Sequence, residues 1–373
     1  MKSNVVPKRV LHLSSAHPWT DNRIHWREAM SLKSAGYDVG VHAVAASDEG
    51  GSPVKVSQAP RRSRLRRVSI GTLQALRTAL RSEAEIIHIH DPELIWTIPV
   101  LRIAGRKVIY DAHEDLPAQV LDKSYLPKPT RKFARWGAKG LVMIAGVFSS
   151  GVVAATETIA ERFDEEKTTV VRNFPHVYSK AAAKVEVGKR SPNVVYVGGI
   201  SESRGGTAMV DALGSSKMPS GWQLLLAGQV SSSYLHDLQQ KPGWEKIEFY
   251  GKVLPLESRE IIRESRIGLV VLKDTTAYRD SLPTKMFEYL AEGVAVIASD
   301  FPLWRSIIER YDCGVLVDED SPDAIATAIA DYANDEELLR RHSRNGMDAA
   351  AKIFNWDREA EYLMEAYRAI LGS

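Results

Sequence analysis

The chain has a single cysteine, Cys313, among 373 residues. An intramolecular disulfide and a cysteine-based zinc site are thereby excluded, and a reducing compartment such as the cytoplasm is expected. Long apolar runs are also missing. The opening "MKSNVVPKRVLHLSS" offers a strand's length of hydrophobic residues, too short for a secretory core or a spanning helix, so export is not expected. The three-glycine dinucleotide fingerprint, followed by an acid about 20 residues on, is absent too, which argues against a nicotinamide dehydrogenase. With 44% hydrophobic and 26% charged residues, the composition is neither disordered nor fibrous.

Net charge is only +2, but it divides unevenly. Residues 1–176 hold 26 Lys and Arg against 18 Asp and Glu, a balance of +8, and the remainder holds 23 against 29, a balance of −6. The first half is expected to meet an anionic surface or substrate, because a summed field concentrates partners of opposite sign. The length suits two domains of about 150 to 200 residues each.

Short apolar runs alternate with helical ones. "RVLHLSS" (9–15), a helix from 22 to 35, "YDVGVHAVA" (37–45), "EIIHIHD" (85–91) and "RKVIYDAHE" (106–114) form one series. "VVYVGGI" (194–200), a helix near 205–213, "WQLLLAG" (222–228), "IEFYG" (247–251), "IGLVVL" (267–272) and "VAVIAS" (294–299) form a second. Strand and helix alternating in this way make βαβ units with parallel sheets. The expected fold class is α/β: two Rossmann-like, doubly wound domains at 1–176 and 194–354, joined by a polar linker at 177–193. The tail at 355–373 is a helix that economically returns to brace the first domain.

Open parallel sheets bind ligands beyond the carboxyl ends of their strands, so the loops there carry the candidates. Asp21 can cap the helix that starts at Asn22 or take part in chemistry. His88 and His90 alternate on one strand, with Asp91 at its end. Two histidines with no third ligand at convincing spacing make a poor metal site, so none is expected. Asp111, His113, Glu114 and Asp115 end another strand, and His113 is the best candidate for hydrogen bonding to a sugar hydroxyl or phosphate at neutral pH.

In the second half, Gly198 and Gly199 end a strand and Arg204 follows. Consecutive glycines let backbone amides approach a phosphate, and arginine supplies a matching planar fork. A bare turn explains them equally well. "DSLPTKMFEYLAEG" (280–293) reads as a helix capped by Asp280 or Ser281, with Pro283 in its first turn and Gly293 as its stop. Lys285 then joins the free amides of a helix start, and Glu288 one turn on can accept from a pair of ribose hydroxyls. The competing reading is an ordinary surface stripe of Lys285, Glu288 and Glu292.

"YVGGISESRGG", "FYGKV", "DSLPTKMFEYLAEGVAVIASDFPLWRSIIE", "CGVLVDEDSPDAIATAI" and "FNWDREAEYL" together resemble the nucleotide-binding domain of family-4 glycosyltransferases. "HPWTDNRIHWREAMSLKSAGYDV", "HIHDPEL" and "VIYDAHEDLP" resemble the acceptor domain of that family's bacterial cell-surface polysaccharide branch. The resemblance implies a GT-B architecture, with two domains facing across a cleft. It implies a UDP-, GDP-, ADP- or TDP-linked sugar donor, retention of anomeric configuration, and no cofactor or required metal. Residue by residue, it assigns the donor to Gly198, Gly199, Arg204, Tyr250, Gly251, Ser281, Leu282, Lys285 and Glu288. It assigns catalysis to His113, Arg204, Lys285 and Asp280, and the acceptor to Asp21, Asn22, Arg23, His90 and Asp91. Two departures stand out: Asp280 replaces the family's glutamate, and "TDNR" replaces a glycine pair in the first loop.

The implied reaction is front-face transfer, in which the leaving diphosphate helps deprotonate the acceptor hydroxyl and cations stabilise its charge. The acceptor would be a sugar or lipid-linked glycan. Two basic stretches, 61–67 and 131–148, suit an anionic membrane surface on the inner face rather than nucleic acid. The rival enzyme reading is a nucleotide-sugar epimerase of the same fold. A non-catalytic two-lobed binding protein would be exported, which nothing here suggests.

Overall fold

The computed structural model describes residues 8–46, 51–117, 128–177 and 186–372. The chain divides into two compact units, residues 1–173 with 356–373, and residues 174–355. Residues 178–185 of the sequence-predicted linker lie outside the described residues.

The first unit is built on a seven-stranded, fully parallel sheet in the order β3-β2-β1-β4-β5-β6-β7. Its strands are β1 (Arg9–Pro18), β2 (Asp38–Val44), β3 (Lys55–Ala59), β4 (Ile86–Ile89), β5 (Lys107–Ala112), β6 (Gly151–Ala154) and β7 (Thr168–Val170). Alternation along each strand fills two opposite layers. Leu11, Leu13, Ile87 and Ile89 pack with Leu76, Leu94, Leu101 and Ala145 on one face. Val10, Ile86, Ile109 and Val153 pack with Ile24, Leu32, Trp356 and Leu363 on the other. The terminal helix Trp356–Leu371 therefore completes the first unit's core, anchored by Trp356, whose Nε1 donates to Ser31 Oγ over 2.8 Å. β3 escaped the sequence reading because "KVSQA" is a polar, mostly exposed edge strand with no apolar run to announce it.

The second unit has a six-stranded parallel sheet in the order β10-β9-β8-β11-β12-β13. Its strands are β8 (Asn193–Val197), β9 (Gln223–Ala227), β10 (Ile247–Gly251), β11 (Ile267–Val270), β12 (Ala295–Ser299) and β13 (Gly314–Val317). Helices cover both faces: Gly206–Gly214 and Pro322–Asn334 pack against Tyr196, Leu224 and Leu269, and Thr284–Ala291 packs against Val195, Leu225 and Val296. In each unit the strand order reverses beside the first strand, between β1 and β4 and between β8 and β11. Both reversal points are places where loops part and leave room for a ligand.

Candidate functional site

In the second unit, the loop after β8 turns through Gly198, at φ +128°, and Gly199. Three side chains gather at it. A Cβ placed on Gly198 would stand 3.3 Å from Lys285 Nζ and 4.0 Å from Arg204 Nη1, and one on Gly199 would stand 3.1 Å from Arg204 Nη1. Both cations therefore reach the glycine pair, although 81 residues of sequence separate them. Tyr196 supports the arrangement: its hydroxyl donates to Gly199 O over 2.9 Å, and Lys285 Nζ lies 3.5 Å from its ring centroid. Tyr289 pins the strand end by accepting from Val197 N over 3.0 Å.

Lys285 is 8% exposed, and its Nζ makes no hydrogen bond among the described residues. Burial, then the neighbouring Arg204 charge, drives its pKa well below the ordinary lysine value, against the pull of Glu288. A buried ammonium without a partner beside an arginine is costly. An anion at the glycine loop would relieve it.

Sequence reasoning missed Gly228, which couples this loop to Gly251. Gly228 N donates to Gly251 O over 2.7 Å, and a Cβ on Gly228 would lie 1.7 Å from Gly198 O. The carboxyl ends of β8, β9 and β10 are thus joined through three glycines. Gly228→Ala must push the Gly198 peptide aside. We expect it to weaken nucleoside-diphosphate binding at least tenfold while the far-ultraviolet circular dichroism spectrum stays unchanged, read by calorimetric titration.

The stretch around 280 corrects two expectations. The helix runs Thr284–Ala291 with Pro283 at its N-cap and no side-chain cap. Asp280, expected as a cap or catalytic acid, is an exposed C-cap of the preceding helix Thr276–Arg279. Ser281 turns its hydroxyl back to Tyr278 O over 2.9 Å, and its carbonyl accepts from Trp304 Nε1 over 2.7 Å. Proline at 283 explains the difference, because its own ring nitrogen has no hydrogen and it favours an extended residue before it. Glu292 is no surface acid either. It is buried and paired with Arg259 and with Arg263, at 2.7 Å from the latter's Nε, so only Lys285 and Glu288 of the supposed stripe remain at the site. Leu282, Tyr250 and Gly251 are half-buried.

In the first unit, His113 follows β5 with its Nδ1 3.4 Å from Asp111 Oδ2. Burial lowers its pKa, but Asp111 and then Glu114 outweigh burial and raise it above the ordinary value. His17, not singled out from the sequence, stands beside it with ring centroids 5.4 Å apart. Its Nδ1 lies 2.8 Å from Asp91 Oδ1, and this bond and charge overcome burial to raise its pKa to about 9. Both rims thus present an imidazole backed by a buried carboxylate, and the carboxylate fixes which nitrogen faces out.

The acceptor assignments fare unevenly. Asp21 accepts from Arg23 N at 2.9 Å and Ile24 N at 3.0 Å, so it caps the helix, and Asn22 is exposed. Arg23 is a correction. It points inward, with Nη2 2.7 Å from Asp111 Oδ1, Nε 3.0 Å from Glu28 Oε1, and Nη1 donating to Val171 O. His90 and Asp91 are also buried, and they lie at hydrogen-bond distance from Asp111 and His17 respectively. Asp91 accepts from Ser14 Oγ over 2.8 Å as well as holding His17.

The structure adds His12 and Glu28 to His88 and His90, with donor atoms of all four within 4.8 Å of one another. Hydrogen bonds engage Nδ1 of each ring: His12 to His90 Nε2, His88 to the Tyr367 hydroxyl and His90 to Asp111, all at 2.9 Å. Burial is the first cause that lowers all three histidine pKa values, and it raises that of Glu28. The four side chains form a polar layer inside the core, with Glu28 also 3.0 Å from Arg23 Nε. No sequence signal marks it, since His12 reads as one polar residue in a buried strand.

Residues 179–348 match the family described as "Glycosyl transferases group 1". A phosphatidyl-myo-inositol mannosyltransferase of Mycobacterium tuberculosis is 31% identical over 97 residues, 25% of this chain and 26% of that protein. The homologous enzyme of Mycolicibacterium smegmatis is 26% identical over 94 residues, 25% of this chain and 24% of its own. The chain thus aligns with about a quarter of the length of these curated relatives. Among solved structures, a sucrose-phosphate synthase from Thermosynechococcus elongatus has a TM-score of 0.75 at 18% identity, covering 98% of this chain and 99% of that one. Anabaena HepE, solved with UDP and glucose, has a TM-score of 0.71 at 16% identity, covering 97% and 100%. This chain has the GT-B fold, and the match to the group 1 glycosyl transferases covers 170 of its 373 residues.

Proposed function

We propose that this chain is a retaining glycosyltransferase that moves a sugar from a nucleotide-sugar donor to an acceptor hydroxyl, in bacterial polysaccharide or glycoconjugate synthesis. The observation that carries the donor reading is the convergence of Arg204 and the unpartnered Lys285 on the Gly198–Gly199 turn. In this reading the amides of that turn and the two cations take the leaving diphosphate, where developing negative charge gains most from fixed donors. Glu288 holds the ribose hydroxyls, and His113 faces the transferred sugar. The similar proteins support the class: one is a mannosyltransferase, and Anabaena HepE was solved in complex with UDP and glucose. Retention, a required metal's absence and the acceptor class come from the family-4 resemblance.

The same proposal includes peripheral attachment to an anionic membrane, with the acceptor linked to lipid. Leu65 is exposed among the arginines of 61–67 and Val68 and Ile70 are exposed just after them, and Trp136, Met143 and Val147 are exposed along the helix Lys128–Phe148. No helix among the described residues is long and apolar enough to cross a membrane.

The donor reading is tested by melting the protein with UDP, GDP, ADP or TDP. At 100-fold excess over Kd one of them should stabilise by about 2.7 kcal/mol, an upward shift of several degrees. Glu288→Ala should then weaken that nucleotide about tenfold and leave inorganic pyrophosphate unchanged, since only the nucleotide carries the ribose. If no nucleotide shifts the melt, the donor site is wrong; if pyrophosphate and nucleotide weaken together, Glu288 does not read the ribose.

A further inference from the structure

At the amino ends of β5, β6 and β7, opposite the edge that carries His17 and His113, the first unit holds a cavity of about 590 Å³. Arg102, Lys107 and Lys167 line it, together with Ile103, Val147 and Phe148, and no acid does. Its apolar members are unusually bare for a folded protein: Ile103 is 89% exposed, Val147 62% and Phe148 45%. Ser149, also in the lining, is buried with an Oγ that makes no hydrogen bond among the described residues. Lys107 Nζ is tied to Ile370 O over 2.7 Å; Arg102, whose Nη1 donates to Arg106 O over 3.1 Å, and Lys167 are both exposed and stand as the cations at its mouth.

The surroundings continue the pattern. Trp136, Met143 and Val147 are spaced by seven and four residues, so they share one helical face that leads along Lys128–Phe148 to the cavity, and Lys132, Arg135 and Lys139 flank them exposed. No Asp or Glu occurs anywhere between 123 and 156, nor between 94 and 110. A soluble anion would be served by the cations alone. Bare indole, thioether and isopropyl groups beside a cationic notch whose lining holds no acid match a surface that is apolar and anionic at once.

We propose that this cavity is a headgroup site for an anionic phospholipid of a bilayer, with Ile103, Val147 and Phe148 entering the acyl boundary while Arg102, Lys167 and the Ser149 hydroxyl take the phosphate. The inference rests on the membrane reading above and locates it at a specific site. It places the lipid contact at the strand edge away from the rim histidines, so headgroup binding and sugar transfer are separable.

The test is co-sedimentation with vesicles of phosphatidylcholine alone and of phosphatidylcholine containing about 30% phosphatidylglycerol, at fixed salt. Wild-type protein should bind only the anionic vesicles. Arg102→Glu with Lys167→Glu should lower that binding about tenfold or more, and Ile103→Ser should lower it several-fold. Lys55→Glu with Lys189→Glu, the same change of charge at exposed sites elsewhere, should leave it within twofold. Nucleotide binding and the melting curve, measured on every variant, report folding. If wild-type protein ignores anionic vesicles, the membrane reading and the cavity fall together. If it binds them but the Arg102/Lys167 variant matches the charge control, the cavity alone is wrong and the membrane reading survives. Loss in the charge variant with none in Ile103→Ser would mean a plain electrostatic patch, and would overturn the acyl-boundary site.

Discussion

Replacing Lys285 by methionine should reduce sugar transfer by about 10²–10³-fold while leaving the second unit as stable as before or more so, a combination that separates a working cation from a structural one. The Lys285 ammonium lies 3.5 Å from the Tyr196 ring centroid and is buried without a hydrogen-bond partner among the described residues. Methionine keeps the stem's volume and sets an apolar thioether against the ring. It removes only the charge, which burial and Arg204 make unfavourable in the free protein. The sign follows from linkage. The folded-state pKa is depressed, so the unfolded chain binds the proton more tightly, and the group's destabilisation is present at low and neutral pH. It fades as pH climbs from the depressed value toward the ordinary lysine value of about 10.4. The variant should lose that slope, seen as a flatter dependence of melting temperature on pH between about 7 and 10.

A ligand should reverse the shift. When a diphosphate settles at the Gly198–Gly199 turn, its charge favours the ammonium, and any neutral fraction of Lys285 takes up a proton. Calorimetric titrations in two buffers of different ionisation heat should show proton uptake by the wild type and none by Lys285→Met. Equal diphosphate affinity in the two proteins would remove Lys285 from the site. Arg204→Lys complements the measurement: the planar fork is lost but the charge is kept, so affinity should fall less than in Lys285→Met.

The sequence was most informative where one local rule decides the structure. Alternating apolar strands such as "IIHI" and "VVYV" are buried on both faces, and a parallel sheet is what buries both. The glycine pair and Arg204 were legible because phosphate needs bare amides and a fork. What escaped depended on distance across the fold. Gly228 is silent in sequence because its reason is a carbonyl 30 residues earlier. Arg23 sits among polar residues at a helix start and looks solvent-facing, yet its partner Asp111 is 88 residues away. Glu292 ends a helix like any surface acid, and only the packing of Arg259 and Arg263 makes it interior. Asp280 was misread for a local reason, since Pro283 displaced the helix start by several residues.

Arg23→Met should destabilise the first unit by about 3–5 kcal/mol, because it strips a fully buried carboxylate of its cation. Asp111 accepts from Arg23 at two nitrogens, 2.7 Å from Nη2 and 2.9 Å from Nε, and both residues are buried. Burial pushes the Asp111 pKa up, but Arg23, then His113 and His90, outweigh it and hold the carboxyl well below the ordinary range. In wild-type protein Asp111 therefore contributes stability that is present above the unfolded value of about 3.9 and is lost as pH falls through the depressed folded value. Without Arg23 the burial cost dominates, and the folded-state pKa rises above the unfolded one. Stability from this group is then present only below about pH 4 and drains away as pH increases. Between about pH 4 and 7 this group gives wild type almost no slope, so the variant should show a new fall of melting temperature with rising pH, in addition to a drop of roughly 6–20 °C for a unit of this size.

Asp111→Asn in the same chain should recover part of the loss, since the amide removes the stranded charge and still accepts from His90. Glu28 limits the recovery in the opposite single variant. In Asp111→Asn alone, Arg23 retains Glu28 at 3.0 Å, and that carboxyl, whose pKa burial and then the Asp111 charge push up, ionises more readily once the Asp111 charge is gone. The cycle is therefore asymmetric: Asp111→Asn should cost less than Arg23→Met, and the double variant should lie between them. Circular dichroism melts at several pH values measure all three. A variant series with no pH-slope change, or an Arg23→Met protein that melts with wild type, would show that Arg23 and Asp111 are not the coupled buried pair that holds the strand end beneath His113.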